Sequence, residues 1–164
     1  MKSDIRRAYL LLGSNLGNRE KLIAEALNLI AADVGQIVIK SSIYETAAWG
    51  RTDQPSFLNI AVAIDTILNP KQLLKKILAI EKLLGRIRHE KWGSRVIDID
   101  IILYGNEIID FGVMLKIPHP EMQHRKFVLQ PLAEIAPSLI HPILNKSIME
   151  MLGILSDTLT VQKR

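Results

Sequence analysis

Large apolar residues alternate with small or polar ones along the middle of the chain, a pattern typical of a strand that is buried on one face. In the segment Phe57–Thr66 the even positions are occupied by Leu58, Ile60, Val62 and Ile64. The odd positions begin with Phe57, Asn59, Ala61 and Ala63. The segment is therefore predicted to be a strand with one fully apolar face and one face that has room beside its alanines.

A second alternating segment, Ile97–Leu103, differs because two acids stand among its apolar residues. The residues predicted to share its buried face are Ile97, Ile99, Ile101 and Leu103. Asp98 and Asp100 are predicted to share the opposite face, with α-carbons about 6–7 Å apart. Two like charges at this separation repel each other. Either the acids face solvent, or they hold a divalent cation that prefers carboxylate oxygens.

Helical periodicity accounts for two further segments. The first helix is predicted to follow the N-cap residue Asn18 and to end near Gly35, with an apolar stripe of Leu22, Ile23, Ala26, Leu27 and Ile30. The second is predicted to start at Asn69-Pro70 and to end at Gly85, with a stripe of Leu73, Leu74, Ile77, Ile80 and Leu84. Other strands are predicted at Tyr9–Leu12 and Ile37–Ala47, and short helices near Leu129–Ile135 and Lys146–Leu155.

The predicted order is strand, helix, strand, strand, helix, strand, which indicates an α+β fold of the ferredoxin-like βαββαβ type. In this arrangement both helices cover one face of an antiparallel sheet, and an irregular C-terminal extension follows. Residues 1–164 are predicted to form a single domain. The face without helices is then expected to bring together four side chains, those of Asp98, Asp100, Asn59 and Phe57.

The composition of the chain limits the kinds of site, cellular location and ligand that can be expected. The chain contains no cysteine, which excludes disulfides, thiolate metal sites and cysteine nucleophiles. The apolar run near the N-terminus is too short for a secretion signal or a membrane span, so a cytoplasmic protein is expected. The net charge of +4 suits an anionic ligand without requiring nucleic acid.

Cationic residues are concentrated just before the acidic strand. The segment GRIRHEKWGSR at 85–95 contains Arg86, Arg88, Lys91 and Arg95. These charges either form ordinary ion pairs with the acids or, together with a metal ion on the acids, neutralise a polyphosphate. The chain has no G-x-x-x-x-G-K-[ST] motif, so a bound triphosphate would depend on the acids and the arginines.

Two further segments carry side chains suited to a ligand. The connection TAAWGRTDQPS at 46–56 contains Trp49 and is either a plain connector or a binding loop. The segment IPHPEMQHRKFVLQPL contains His119, His124, Arg125 and Phe127. Its two histidines alone are weak evidence for zinc. Phe127 either packs in the core or pairs with a second aromatic ring around a flat heterocycle.

Four segments, extending over nearly the whole chain, carry a family likeness. They are LLGSNLGN, YETAAWGRTDQPSFLNIAVAI, IEKLLGRIRHEKWGSRVIDIDIILYGN and IPHPEMQHRKFVLQPLAEIAP. Together they resemble the 6-hydroxymethyl-7,8-dihydropterin pyrophosphokinase family, in which R-x-x-D-x-D after a tryptophan is a specific motif. The resemblance implies an enzyme of folate biosynthesis that transfers pyrophosphate from ATP to the hydroxymethyl oxygen of the pterin and releases AMP.

The resemblance also implies roles for individual positions. Two Mg2+ ions are held by Asp98 and Asp100, and these acids act in catalysis with Arg88 and Arg95. The implied ATP contacts are Glu81, Arg88, Arg95, Ile101, His119 and Arg125. The implied pterin contacts are Thr46, Ala47, Trp49, Phe57, Asn59, Trp92 and Phe127. ATP and the pterin are the expected partners, without nucleic acid or membrane, and a monomer is expected. Departures from the family pattern occur at Ala47, Phe57, Leu78 and Pro120.

Two other classes of protein share the predicted topology. RNA-recognition domains use the same open sheet face, but Asp98 and Asp100 would repel a phosphate backbone in the absence of metal. A regulatory domain that binds a small molecule would not need paired acids beside an arginine-rich segment. A magnesium-dependent assay for AMP release distinguishes the enzyme from both.

Overall fold

The computed structural model describes residues 4–46, 56–85, 96–156 and 160–164. The strands are β1 (Arg6–Ser14), β2 (Gln36–Lys40), β3 (Tyr44–Thr46), β4 (Phe57–Thr66), β5 (Asp98–Tyr104), β6 (Ile109–Asp110), β7 (Lys116–Ile117) and β8 (Val161–Lys163). The helices are α1 (Arg19–Asp33), α2 (Pro70–Leu83), α3 (Lys126–Ile135) and α4 (Ile148–Gly153). The order through β5 confirms the predicted βαββαβ arrangement.

The main sheet is antiparallel throughout. Its strands follow the order β5-β1-β4-β3-β8, and β2 pairs with β4 next to β3. β6 and β7 form a separate two-stranded hairpin. The central position of β1 and β4 explains why their sequences are the most continuously apolar of the strands.

The second predicted strand, Ile37–Ala47, is divided into β2 and β3. At the interruption, the main-chain N–H of Ser41 donates to the carbonyl of Ala61 at 2.8 Å. The Ser41 hydroxyl oxygen accepts from the N–H of the same alanine at 3.0 Å. The serine side chain thus replaces one bond of the ladder, and both halves of the strand stay attached to β4.

Both long helices begin where the sequence predicts. Asn18 Oδ1 accepts from the N–H of Lys21 at 3.2 Å. Asn69 and Gln72 each accept from the other's main-chain N–H at 2.9 Å, which forms a capping box at the start of α2. Gly85 follows α2 with a φ of +93°, a conformation that glycine adopts without strain. Within the described ranges, no helix has the length and apolar character needed to cross a membrane.

The face of the sheet that α1 and α2 cover, here called the first face, holds the larger core. As predicted, it contains the even-numbered residues of β4 and the isoleucines of the acidic segment: Leu58, Ile60, Val62, Ile64, Ile97, Ile99 and Ile101. Burial of each such side chain contributes about 1.5–3 kcal/mol to folding. This core fixes the direction of every side chain on the opposite face.

The opposite, second face is not free of helices, which corrects the prediction. α3 and α4 pack on its central part, and the resulting core includes Tyr9, Leu11, Ala61, Ala63, Val128, Leu129, Leu132, Ile148 and Met151. The room beside the two alanines of β4 is therefore taken by the C-terminal helices. Phe57, Asp98 and Asp100 remain partly exposed, so any site on this face lies at their end of the sheet.

β5 contains a β-bulge that reverses its alternation. Leu10 pairs with Ile101 and Tyr9 pairs with Leu103, so Ile102 has no partner of its own on β1. As a consequence Leu103 packs in the core of the second face, whereas Tyr104 packs in that of the first. The prediction that Leu103 shares a face with the isoleucines is wrong for this reason.

Candidate active site

One row of register partners across the second face contains Asn59, Gly13 and Asp98, with the glycine between the amide and the acid. The strand register pairs Tyr44 with Asn59, Asn59 with Gly13, and Gly13 with Asp98. Register partners point to the same face, and strands lie about 4.8 Å apart, so Asn59 and Asp98 are separated by about 10 Å. A Cβ atom at Gly13 would lie 2.5 Å from Nδ2 of Asn59. Gly13 thus provides a flat floor between the two side chains.

The next row places the second acid on the same face. Ala61 pairs with Leu11, and Leu11 pairs with Asp100. The predicted sharing of one face by Asp98, Asp100 and the polar residue of β4 is therefore correct. Gly13 was not among the predicted site residues, because the first strand was predicted to end at Leu12. The signal for it was present, because position 13 continues the alternation of Leu11 along β1.

The two acids suit a hard cation. Among the residues that the structure describes, no group of three or more His, Asp and Glu side chains is arranged to hold a metal ion. Mg2+ typically takes one or two protein carboxylates and completes its shell with water and phosphate oxygens. Asp98 and Asp100, partly exposed on one face, fit this pattern and do not fit a cage built from protein ligands alone.

The end of the β3–β4 ladder presents two buried polar atoms. Thr46 pairs with Phe57, and the exposed fractions of Thr46 and Asn59 are only 3% and 4%. Nδ2 of Asn59 donates to the carbonyl of Leu12 at 3.4 Å. Oδ1 of Asn59 and Oγ1 of Thr46 have no hydrogen-bond partner within the described part of the chain. Because buried polar atoms are usually paired, these two are suited to the polar edge of a ligand beside the Phe57 ring.

His119 lies next to the acidic strand with its ring orientation fixed. Its main-chain N–H donates to the carbonyl of Ile102 at 2.9 Å, and its Nδ1 accepts from the N–H of Glu121 at 3.1 Å. Burial, followed by the charge of Arg125, lowers the pKa of His119, although Glu121 and Asp98 oppose this shift. The shift favours the neutral ring, and because Nδ1 accepts a hydrogen bond, the proton of that neutral ring is on Nε2.

Arg125 and Phe127 flank the start of α3. The guanidinium carbon of Arg125 lies 5.9 Å from the centroid of the Phe127 ring, a cation–π distance. Phe127 packs against the core of the second face, and α3 packs on β3 and β4, the strands that carry Thr46 and Phe57. Both phenylalanine rings are partly buried, so each keeps a surface on which a flat ligand can stack.

Glu81 and Ile101 approach the acidic strand from other directions. Glu81 lies on α2, is 3% exposed, and accepts through Oε2 from the N–H of Ile99 at 2.8 Å. This bond holds the residue between the two acids. Ile101 is 5% exposed and packs in the core of the first face, so a ligand contact from it would come from its main chain.

Five predicted site residues, Ala47, Trp49, Arg88, Trp92 and Arg95, lie outside the described residues. The roles implied for them stay predictions.

Comparisons with known proteins find similarity to a family of enzymes. Residues 9–137 match the model of the 7,8-dihydro-6-hydroxymethylpterin-pyrophosphokinase family. A Methylorubrum extorquens protein named 2-amino-4-hydroxy-6-hydroxymethyldihydropteridine pyrophosphokinase is 51% identical over 136 residues, which cover 82% of this chain and 85% of that protein. An Aquifex aeolicus protein of the same name is 44% identical over 142 residues, which cover 87% and 88%.

These matches define the class of the protein as a pyrophosphokinase, a kind of transferase. The chain belongs to the 7,8-dihydro-6-hydroxymethylpterin-pyrophosphokinase family, which confirms the resemblance found in the sequence.

Solved structures support the same fold. The Plasmodium falciparum HPPK-DHPS structure, wild type with pteroate, superposes with a TM-score of 0.75 at 20% identity. The match covers 93% of this chain and 43% of that one, so this chain spans less than half of the solved protein. At this identity the likeness concerns the fold, and it agrees with the ferredoxin-like prediction.

Proposed function

We propose that the protein transfers the pyrophosphoryl group of ATP to the hydroxymethyl oxygen of 6-hydroxymethyl-7,8-dihydropterin, releasing AMP, as a step of folate biosynthesis. The observation that carries the proposal is the row Asn59, Gly13 and Asp98, extended by Asp100 in the next row. It places Asn59, which together with Thr46 presents the buried polar atoms suited to a pterin edge, on the same face as a pair of acids suited to magnesium phosphate.

The pterin is proposed to bind over Gly13. Oδ1 of Asn59 and Oγ1 of Thr46 lack other partners among the described residues, and they would pair with its polar edge. Phe57 and Phe127 would stack on its two sides, because flat heterocycles favour aromatic neighbours. The proposal extends to Ala47, Trp49 and Trp92 on the strength of the family resemblance alone.

Asp98 and Asp100 are proposed to hold two Mg2+ ions together with ATP. When bound, the ions would neutralise phosphate charge and lower the pKa of the attacking hydroxyl. The bond from Glu81 to Ile99 N–H supports a role for Glu81 in fixing the main chain between the acids. The same carboxylate is also proposed to border the nucleotide, as is the main chain of Ile101.

Catalysis is then chiefly a matter of position and charge. The hydroxymethyl oxygen attacks the β-phosphorus and loses its proton to solvent, the bond from that phosphorus to the oxygen of the α-phosphate breaks, and AMP leaves. The neutral ring of His119 is proposed to donate from Nε2 to a phosphate oxygen. Arg125 adds positive charge beside it, and the same role is proposed for Arg88 and Arg95.

Product analysis tests the reaction. The purified protein is incubated with ATP, Mg2+ and 6-hydroxymethyl-7,8-dihydropterin, and nucleotides and pterins are separated and identified by mass. The expected products are AMP and the pterin diphosphate in equal amounts, with none formed after chelation of Mg2+. Formation of ADP would indicate transfer of a single phosphoryl group and would contradict the proposal, as would AMP formation that does not depend on the pterin.

Three further properties belong to the proposal. Residues 1–164 act as one pyrophosphokinase domain, the protein works as a monomer, and it acts in the cytoplasm. Mass measurement by light scattering, with and without both substrates, tests the monomer.

A further inference from the structure

A charged cluster ties together the strand ends from which Thr46 and Phe57 project. Nη1 of Arg19, the first residue of α1, donates to the carbonyl of Ser56 at 2.9 Å and to its Oγ at 3.0 Å. The same nitrogen lies 3.2 Å from Oε2 of Glu45. The Ser56 hydroxyl donates to that carboxylate oxygen as well. Each of the three groups therefore contacts the other two.

The cluster adjoins the candidate pterin site directly in sequence. Glu45 precedes Thr46, and Ser56 precedes Phe57, and the last pair of the β3–β4 ladder is Thr46 with Phe57. Because side chains alternate along a strand, Glu45 points to the first face while Thr46 points to the second. The cluster thus contacts the strand ends that carry Thr46 and Phe57 from the first face, and it does not occupy the candidate site on the second face.

The contacts of Glu45 hold its pKa below the ordinary value of a glutamate. The hydrogen bond from Ser56 lowers its pKa most, burial opposes this, and the bond from Arg19 and the charge of Arg164 lower it further. Arg164 Nη1 lies 3.9 Å from Oε1 of Glu45. Its main-chain N–H donates to the carbonyl of Ile43 at 2.9 Å, so a second strand end is joined to the same carboxylate.

We propose that Arg19, Glu45 and Ser56 are positioning residues for the pterin, which act by setting the separation of Thr46 and Phe57. The inference rests on the proposed function, because it concerns binding of the pterin in that reaction. An ion pair without such a role would contribute little to stability and nothing to substrate affinity.

The chain offers a matched control. Arg7 forms two hydrogen bonds with Asp65, at 2.8 and 3.0 Å, and the two residues are register partners on β1 and β4. This pair lies at the opposite end of the same strands from Phe57. Asp65→Asn therefore removes a comparable ion pair from the same sheet, away from the candidate site.

Steady-state kinetics with each substrate varied in turn test the proposal, with thermal melting as the check on folding. In Glu45→Gln and Ser56→Ala the KM for the pterin is expected to rise about tenfold, while the KM for ATP changes less than about twofold. Ser56→Thr keeps the hydroxyl, so its KM for the pterin is expected to equal that of the unsubstituted protein. Asp65→Asn is expected to leave both KM values unchanged.

Several results would overturn the inference: an unchanged pterin KM in Ser56→Ala, equal changes in both KM values, or a pterin KM that rises as much in Asp65→Asn. Should Glu45→Gln melt too early to assay, the two serine variants decide, since they keep every charge. Failure of the proposed function is recognised separately, because the unsubstituted protein would then form no AMP from ATP and the pterin.

Discussion

The floor of the candidate site gives the sharpest single prediction, which is the effect of Gly13→Ala. The added Cβ would lie 2.5 Å from Nδ2 of Asn59, whereas ordinary contacts begin at 3.4 Å, so the amide must move by about 0.9 Å. That shift breaks the bond to the Leu12 carbonyl, which is already long at 3.4 Å. It also turns the amide away from the direction proposed for the pterin.

The loss of the hydrogen bond proposed between Oδ1 of Asn59 and the pterin corresponds to about 1 kcal/mol, or roughly a fivefold rise in its KM. The assay varies the pterin at saturating ATP and Mg2+. Gly153→Ala is the matched control, because a Cβ at that position meets no atom within 4 Å. Its kinetics are expected to be unchanged.

A double-mutant cycle makes the reasoning refutable. If Gly13→Ala acts by displacing the amide, rather than by contact of its Cβ with the pterin, it should have little further effect once Asn59 is replaced by alanine. Additive effects of the two substitutions, or a normal pterin KM in folded Gly13→Ala, would show that this contact does not shape the site.

Three other predictions follow from the acids, from the hydrogen bonds of the exposed carboxylate of Glu134 and from the buried histidine His141. Asp98→Asn or Asp100→Asn should lower kcat by about a thousandfold or more at an unchanged melting temperature; near-normal turnover would contradict the magnesium assignment. Glu134→Ala should lower the free energy of unfolding, measured in urea, by about 1–2 kcal/mol, because the Glu134 carboxylate accepts from the Tyr44 hydroxyl at 2.6 Å. An unchanged urea midpoint would contradict this prediction. Burial lowers the pKa of His141 from 6.5, so the unfolded chain binds more protons than the folded protein, and the stability of the folded protein should fall as pH drops below about 6.5. The check is the melting temperature measured over a series of pH values. If His141→Gln keeps the full slope of melting temperature against pH, His141 is excluded as the cause.

Much of the fold was predictable because local signals and the global pattern agree. The caps at Asn18 and Asn69 are short-range features of the sequence, and both formed as predicted. The even positions of β4 face the helices because a continuous apolar stripe has no other place to be buried. The same alternation correctly directed Asn59 and the two acids to the opposite face.

The features that were missed depend on contacts between distant parts of the chain. Ile102 and Leu103 are both apolar, so nothing in their sequence marks a bulge; pairing with Tyr9 and Leu10 decides it. Alanines such as Ala61 suit a ligand or a helix equally well, and only the packing of α3 and α4 shows which occupies the space. The Arg19 cluster joins residues 37 positions apart in the chain, a separation at which charge pattern alone predicts no pairing.

The bulge at Ile102 makes β5 tolerant of a change in length. Apolar replacements at this position would keep the pairing. Deletion of Ile102 would restore a regular ladder in which Tyr9 still pairs with Leu103 and Ala8 still pairs with Tyr104. Leu103 would stay beneath the C-terminal helices, and the phenol of Tyr104 would still face the Leu68 carbonyl, to which it donates at 2.6 Å. A sequence aligned across this strand with a one-residue gap is therefore compatible with the same joining of the two layers of the molecule.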